Sequence, residues 1–518
     1  MQSCNFANFI ILSLLVSVSA AVASVDPTDS LLWGPGLDSP EIVLPTRYFY
    51  IQLVDTEGNN ITESQGDGFL HLKVSGFRSP ANHDHPCPVR SQLIDRYDGS
   101  YIGRYRLLST CYDLRIDLVI ADSGFHLGKL PRTFPGPILA DNCDCPLSSL
   151  KKWYATAQCP DSGYTQIRLD VTPWSAGTVQ FSDVLQRAEE TWAQHPGAFS
   201  LCHYKILSGQ LFRKCYGKYV GFNMFSDSIL LSLLRKVRLP DTEFLLNLGD
   251  WPLEKRLIGE NPIPIISWCG SKTTRDIVIP TYELTESTLE MLGRQMLDMQ
   301  SVQGMTGVPW SAKLDRALFR GRDSSLERLT AARLARRHPE HLEVNITRFF
   351  FFLDEEKRLG PGGGNIPFGD FFKYKYQLSL DGTVAAYRLP YLLAGNSLVL
   401  KQDSPYYEHF YRDLQPWVHF LPVKKDLSNL INQIVWAKQN PDKVAEIIKN
   451  AQNYARNYLQ PINIFCYHVK VLEAYTNLLA NPPNSSTEGM DFVPQPVEAQ
   501  NCGCDASDAA AKEIKDEL

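Results

Sequence analysis

The spacing of apolar residues changes between Pro135 and Cys145, and this change constrains the fold more than any other feature of the chain. Before it, apolar and polar residues alternate in short runs, such as residues 47–54 and 100–107, with glycine-containing turns between them. Alternation with a period of two is typical of strands that bury one face. The sequence therefore predicts an all-β domain over residues 24–140, close to the roughly 100-residue size of an immunoglobulin-like sandwich.

A different pattern begins near residue 141, where helical segments alternate with short apolar runs. This alternation is typical of parallel α/β architecture. We expect two Rossmann-like halves, at about residues 141–275 and 276–440, followed by a C-terminal helix at 441–480 that packs back on them. The strands predicted for the second half are residues 348–353, 376–380 and 397–400.

The two ends of the chain predict its compartment. An apolar segment at residues 10–18 precedes small residues, which indicates a signal peptide over residues 1–23. The chain ends in Lys-Asp-Glu-Leu, a retrieval sequence that the KDEL receptor binds on soluble lumenal proteins. Residues 481–518 are rich in Pro, Ser, Ala and acidic residues, so we expect a flexible tail. No later segment is long and apolar enough to span a membrane, and the predicted location is the endoplasmic reticulum lumen.

The composition agrees with a lumenal protein. Twelve cysteines are present, of which Cys4 lies in the predicted signal peptide, and an oxidising lumen favours disulfides among the others. Cys87 and Cys111 could crosslink the β domain. The net charge of -6 and the absence of a basic block interleaved with aromatics argue against nucleic acid as a partner. Three sequons are candidates for N-glycosylation: Asn60, Asn345 and Asn484.

The segment from Asp381 to Leu400 reads as a strand end, a glycine turn, a short helix and a buried strand. Gly382 lets the backbone approach a ligand, small residues follow it, and Arg388 stands where a phosphate at a helix N-terminus would need neutralising. An ordinary α/β crossover with a surface arginine explains the same residues equally well. The segment by itself leaves both interpretations open.

A second candidate anion site surrounds Arg322. A strand end and a glycine turn lead into a helix over residues 325–337, for which we predict a capping box formed by Ser324 and Glu327. The first-turn amides, with Arg320, Arg322 and Arg328, would favour a diphosphate. The alternative is a solvated basic helix face.

Asp250 follows an apolar strand and is the candidate general base. Ligands of open α/β sheets bind at the C-terminal ends of the strands, so this carboxylate could face the diphosphate site and accept a proton from an attacking hydroxyl. The alternative is an Asp that caps the next turn. The chain has no Asp-x-Asp pair to hold a diphosphate through a metal ion, so we expect arginines in that role and neither a metal nor a cofactor.

Five segments in this order resemble the CAP10-like protein O-glucosyltransferases, glycosyltransferase family 90. The resemblance covers about residues 143–475, and the β domain resembles a filamin-type repeat, a combination found in members with a KDEL motif. The matching segments are residues 247–252, 319–328, 381–388, 406–410 and 415–423.

The resemblance implies a GT-B enzyme that transfers glucose from UDP-glucose, with inversion and without metal, to serine in folded EGF-like repeats of Notch- or fibrillin-type proteins. It assigns Asp250 as the catalytic base. The donor-binding positions that it implies are Arg322, Arg328, Thr383, Val384, Ala385, Ala386, Tyr387 and Arg388.

The resemblance also indicates where the acceptor and the disulfides lie. The acceptor regions are the loop closed by Cys202 and Cys215 and the segment that begins at Gly304 and ends at Trp310. Cys269, on an apolar strand, is the candidate free thiol. The implied disulfides are Cys143–Cys159, Cys145–Cys466 and Cys202–Cys215.

Two other functions stay open. One is transfer of xylose from UDP-xylose, and the other is that of a catalytically silent, chaperone-like lumenal binding protein.

Overall fold

The computed structural model describes residues 25–38, 41–81, 83–195, 197, 199–256, 261–290, 297–497, 502 and 504. The predicted signal peptide and the Lys-Asp-Glu-Leu sequence lie outside these residues. Within the described part of the chain, no helix has the length and apolar composition needed to cross a bilayer.

The strands are β1 (Val25–Trp33), β2 (Arg47–Asp55), β3 (Leu70–Phe77), β4 (Val89–Asp95), β5 (Ser100–Leu107), β6 (Tyr112–Ile120), β7 (Arg132–Phe134), β8 (Ser200–Leu207), β9 (Gln210–Gly217), β10 (Thr242–Asn247), β11 (Ile265–Ser267), β12 (Gly270–Ser271), β13 (Ile277–Val278), β14 (Leu314–Gly321), β15 (Leu342–Ile346), β16 (Tyr374–Ser379), β17 (Leu398–Gln402), β18 (Tyr406–Tyr407), β19 (Leu421–Val423) and β20 (Asp491–Val493). The α-helices are α1 (Pro35–Asp38), α2 (Leu150–Ala157), α3 (Thr165–Val171), α4 (Phe181–Ala188), α5 (Asn223–Leu234), α6 (Tyr282–Leu289), α7 (Met299–Gln303), α8 (Leu326–Arg337), α9 (Leu353–Leu359), α10 (Phe368–Phe371), α11 (Leu389–Ala394), α12 (Leu430–Gln439), α13 (Pro441–Tyr458) and α14 (Pro461–Thr476).

The N-terminal part of the chain forms two antiparallel sheets, in the orders β1-β2-β5-β4 and β3-β6-β7. Alternate residues of both sheets meet in one apolar core, including Phe49, Tyr105 and Ile116. The predicted strands are confirmed, because residues 47–54 and 100–107 lie on β2 and β5, but the expectation of one buried face is wrong for both, since nearly all their residues are buried. A disulfide joins Cys87 to Cys111. We call this part the sandwich.

The first α/β half is built on a six-stranded sheet in the order β13-β11-β10-β8-β9-β20. The pairs β10–β11 and β11–β13 are parallel, but β8, β9 and β20 pair antiparallel with their neighbours. The prediction of a parallel sheet is therefore wrong for one side of this half. A tight turn at Ser208 and Gly209 returns the chain as a hairpin, which antiparallel strands permit.

The second half carries a five-stranded sheet, β15-β14-β16-β17-β19, in which every neighbouring pair is parallel. The strand predicted at residues 348–353 is wrong, since the edge strand is β15 and those residues form an exposed loop and helix start. Four consecutive phenylalanines at residues 349–352 produced the strand-like pattern, and of these Phe349 is buried. Phe350 is 64% exposed, so its apolar character does not indicate core packing.

The C-terminal part of the chain returns to the first half. Helix α14 contributes Phe465, Val469 and Tyr475 to the core of that half, and β20 extends its sheet beyond β9. The flexible tail predicted for residues 481–518 is therefore wrong for the described stretch up to residue 497.

Disulfides also hold the returning tail, and they correct two predicted pairings. The predicted bonds Cys143–Cys159 and Cys145–Cys466 are wrong, because the tail supplies partners that a flexible segment would not offer. The observed bonds are Cys143–Cys502, Cys145–Cys504, Cys159–Cys466 and Cys202–Cys215, and Cys269 is free and buried, as predicted.

Candidate active site

A cleft of about 630 Å³ lies between the two halves. The first half contributes Asp250 and the start of α6, and the second half contributes the loops that follow β14, β15 and β16. These loops lie at the C-terminal ends of parallel strands, where open α/β sheets bind ligands. The cleft contains every predicted catalytic and donor-binding residue: Asp250, Arg322, Arg328, Thr383, Val384, Ala385, Ala386, Tyr387 and Arg388.

The loop that carries Asp250 is held by a buried polar network. Asn247, the last residue of β10, donates to the Trp251 carbonyl at 2.7 Å and accepts from the Gly249 amide at 2.9 Å. Asp276, which is fully buried, accepts from the Leu253 amide at 2.7 Å and from the Glu254 amide at 3.1 Å. These bonds fix the backbone on both sides of Asp250. Its position is therefore set by buried groups rather than by a contact of its own side chain.

The Asp250 carboxylate itself is only partly exposed and lacks a compensating partner. Among the described residues, none forms a hydrogen bond with its buried Oδ1. Burial raises the pKa of Asp250 above the ordinary value of an Asp. A desolvated carboxylate at a cleft surface has a larger proton affinity than an exposed one, which suits a general base.

The loop after β16 is folded by short local contacts. The Gly382 amide donates to the Val384 carbonyl at 2.9 Å, and the Ser404 hydroxyl donates to the Asp381 carboxylate. A Cβ atom on Gly382 would lie 3.2 Å from Nη2 of Arg328, so a larger residue would press on that guanidinium. The loop then passes through Ala385 and Ala386, whose small side chains leave the cleft open above them.

Arg388 ends this loop and is the N-cap residue of α11. Its Nη1 donates to the Arg320 carbonyl at 2.5 Å, and its guanidinium lies 5.5 Å from the centroid of the Phe319 ring. Burial lowers the pKa of Arg388, while the nearby Glu283 carboxylate opposes that shift. Burial raises the pKa of Glu283, which Arg388 lowers and Asp250 raises. Asp250 and Arg388, which lie on opposite halves of the molecule, therefore shift the pKa of the same carboxylate, that of Glu283, in opposite directions.

Arg328 differs from Arg322 in its surroundings. Arg322 is exposed at the cleft, whereas Arg328 is buried and donates to the carbonyls of Arg322 and Leu380, both at 3.1 Å. Burial, reinforced by Arg388, lowers the pKa of Arg328 to about 9. Arg328 therefore links the loops that follow β14 and β16 through hydrogen bonds on their buried side.

Two further expectations for this region change. The N-cap of α8 is Ser325, not Ser324, and its hydroxyl donates to the Asp381 carbonyl at 3.0 Å instead of closing a capping box. Arg320 forms an ion pair with Glu343 of β15 at 2.7 Å, so its charge is already balanced by a neighbouring strand.

Asp323 holds the loop that follows β15 against the cleft. Its carboxylate is fully buried and accepts hydrogen bonds from the amides of Phe350, Phe351 and Phe352 at distances of 2.6–2.9 Å. The preceding residue, Arg322, lies in the cleft. Asp323 thus connects the candidate donor site to the exposed phenylalanine loop.

Several residues that line the cleft were missed by sequence reasoning: Tyr282, Glu283, Leu297, Phe368 and Tyr391. Tyr391 lies on α11, inside the segment from Asp381 to Leu400, and the others lie on short helices or loops between the recognisable segments. No local pattern distinguishes them from core residues. The start of a helix directly after the buried strand β13 could have indicated Tyr282 and Glu283, since that position also faces the sheet edge.

The two predicted acceptor regions lie in different surroundings. Cys202 and Cys215 pair across β8 and β9, and Leu201 pairs with Asn247, so this disulfide lies near the sheet edge that carries Asp250. The segment from Gly304 to Trp310 does not line the cleft, and part of it packs against the sandwich.

Two other sets of residues complete the description. In the described ranges, no group of three or more His, Cys, Asp or Glu side chains could hold a metal ion. The three sequon asparagines, Asn60, Asn345 and Asn484, are all exposed.

Comparison with known proteins identifies a family and several relatives. The family model of Glycosyl transferase family 90 matches residues 154–516. The chain is 45% identical to protein O-glucosyltransferase 2 of Danio rerio, over 94% of each chain. It is 43% identical to protein O-glucosyltransferase 3 of Homo sapiens, over 97% of each chain. It is 29% identical to the human protein O-glucosyltransferase 1, over 61% of this chain and 79% of that protein. The chain therefore belongs to glycosyl transferase family 90.

Proposed function

We propose that the protein is an inverting protein O-glucosyltransferase that moves glucose from UDP-glucose to a serine hydroxyl in folded EGF-like repeats. The names of relatives that match nearly the whole chain support protein O-glucosylation. The single observation that carries the proposal is the cleft in which Asp250 of one half faces Arg322 and Arg388 of the other.

In the proposed reaction, Asp250 and the two arginines act from opposite sides of the cleft. Asp250 accepts the proton of the serine hydroxyl as its oxygen attacks C1 of glucose. The bond from C1 to the phosphate oxygen breaks on the opposite face of the sugar, so the configuration at C1 inverts and UDP leaves. Arg322 and Arg388 neutralise the charge that develops on the departing diphosphate. The loop of small residues after Gly382 leaves room for the sugar nucleotide.

Metal is not required in this proposal, since cationic side chains do the work that Mg²⁺ or Mn²⁺ does elsewhere. Neither is a cofactor, because the sugar nucleotide is the donor substrate.

We further propose a GT-B arrangement of the two halves, a filamin-type identity for the sandwich, and residence in the endoplasmic reticulum lumen with retrieval by the KDEL receptor. The five disulfides support an oxidising compartment. We propose the exposed Asn60, Asn345 and Asn484 as N-glycosylation sites.

The test is incubation of the purified chain with a folded EGF-like repeat and either UDP-glucose or UDP-xylose, read by intact mass. We expect a hexose on the folded repeat, none on a reduced one, and the same yield in EDTA. A pentose instead of a hexose would change the proposed donor. No transfer from either donor, with a repeat that still binds, would favour a silent binding protein.

A further inference from the structure

The sandwich shares a core with the transferase. Tyr48 and Tyr50 of β2, Ile94 of β4 and Ile102 of β5 belong to the same apolar cluster as Leu246 of the first half. Both faces of β2 are therefore buried, one inside the sandwich and the other against the α/β body. A freely tethered module would leave the second face exposed to water.

Arg104 of β5 lies at this interface and is only 3% exposed. Its Nη1 donates to Oδ1 of Asp298 at 3.1 Å, and its Nη2 donates to the Ser301 hydroxyl at 3.1 Å and to Gln92 at 2.6 Å. Asp298, 6% exposed, is the N-cap of α7 and accepts from the amides of Gln300 and Ser301 at 3.0 and 2.8 Å. A sandwich arginine thus completes the cap of a helix in the transferase.

Helix α7 connects this ion pair to the cleft in two ways. Leu297, directly before the cap residue, lines the cleft. Met299 and Val302 pack in one core with Leu389 and Tyr391 of α11, the helix that begins directly after Arg388. Displacement of Asp298 would therefore disturb two parts of the cleft wall.

The segment that follows α7 extends the same interface. The Thr306 hydroxyl donates to the Arg96 carbonyl at 2.9 Å. A Cβ atom on Gly304 would lie 2.5 Å from Cγ2 of Ile94, so a larger residue would force Ile94 or the backbone to shift. The sandwich therefore contacts part of the predicted acceptor segment, while Gly307 and Pro309 of that segment stay exposed.

We propose that Arg104 is a positioning residue, and that through Asp298 the sandwich holds α7 and α11 where they form the donor side of the cleft. The sandwich thereby has a role in donor binding. The measurement of UDP binding that tests this role rests on the proposed function.

The test compares full-length Arg104→Gln with Arg115→Gln, a control that removes an exposed ion pair with Asp117 in the other sheet of the sandwich. Arg104→Gln should weaken UDP binding by about 2- to 30-fold, the range seen when residues that act through others are changed. Donor KM should rise while acceptor KM stays unchanged, and Arg104→Lys, which keeps the charge, should recover part of the loss. The control should match the wild type.

A second measurement reads positioning without a ligand. In Arg104→Gln, amide hydrogen exchange should quicken in residues 297–303 and 389–394 and stay unchanged in strands of the first half. Unchanged exchange and UDP affinity would refute the inference, as would an equal rise in donor and acceptor KM with uniform loss of protection. Failure of the wild type to bind UDP would refute the proposed function, and the exchange result would still decide the role of Arg104.

Discussion

Asp250→Asn removes the proposed base and leaves the shape of the site nearly unchanged, because the amide has almost the same shape as the carboxylate. The buried Oδ1 has no hydrogen-bond partner among the described residues, so the substitution breaks no contact there. Loss of a general base lowers the rate by roughly 10²- to 10⁴-fold, which corresponds to about 2.7–5.5 kcal/mol of transition-state stabilisation. UDP affinity should stay nearly unchanged, because the proposed nucleotide ligands lie on the opposite half.

The same substitution has a predicted effect on stability. Burial raises the folded-state pKa of Asp250 above its unfolded value, so the contribution of this group to stability is present at low pH and is lost as pH rises through the raised pKa. At neutral pH the wild type therefore keeps an unfavourably desolvated charge that Asn removes. We expect a midpoint of thermal unfolding at least as high as that of the wild type, as when a site favours function over stability.

The assay measures glucose transfer, UDP affinity by calorimetry and thermal unfolding at pH 7 on the same preparations. Asp403→Asn is the matched control, since Asp403 is exposed and pairs only loosely with Lys272, at 3.5 Å. Transfer by Asp250→Asn within a few-fold of the wild-type rate would refute the assignment. A large loss of UDP affinity would place Asp250 at the donor instead.

Three other predictions test the surroundings of the base. Arg388→Ala should weaken UDP binding by about 10- to 150-fold in calorimetry, since a charge-assisted contact contributes roughly 1.5–3 kcal/mol. Asp323→Asn should lower the free energy of unfolding in urea by about 1–3 kcal/mol, because the uncharged amide keeps only one acceptor oxygen for the three loop amides and turns its NH₂ group toward one of these donors. Asp276 and Asp170 have pKa values that burial raises to about 7, so the stability that they contribute is present below their unfolded pKa and is lost as pH rises through about 7. The midpoint of thermal unfolding of Asp276→Asn, measured relative to that of the wild type, should therefore rise as the pH increases from 5 to 8.

Each of these predictions has a distinct control and a distinct failure. Arg388→Lys retains the charge and should recover part of the affinity, and equal UDP binding by Arg388→Ala would remove this loop from the donor site. Asp354→Asn changes a fully exposed carboxylate near the phenylalanine loop and should leave the urea midpoint unchanged. A pH dependence of Asp276→Asn identical to that of the wild type would show that Asp276 does not titrate in this window.

The sequence alone determined local structure wherever a periodic pattern and a turn agreed. The alternation before residue 135 predicted strands that β2 and β5 confirm, because a two-residue period is typical of strands, but both strands are buried on both faces and not on one. The order of strand, glycine turn, helix and strand from Asp381 to Leu400 was likewise predictable, since each boundary has its own residue chemistry. The free thiol of Cys269 was also predicted, because this residue lies in an apolar run of the sequence.

Tertiary structure decided everything that depends on contacts between distant residues. The tail cysteines pair with Cys143 and Cys145 because β20 brings the chain back along β9, which no local pattern reveals. Arg328 holds loops together from below while Arg322 faces the cleft, although both belong to one short basic segment. The sandwich reads as a separate module because the pattern of a strand reports that a face is apolar but not what covers it. Only the packing of β2, β4 and β5 on the transferase shows that the missing cover is the rest of the same chain.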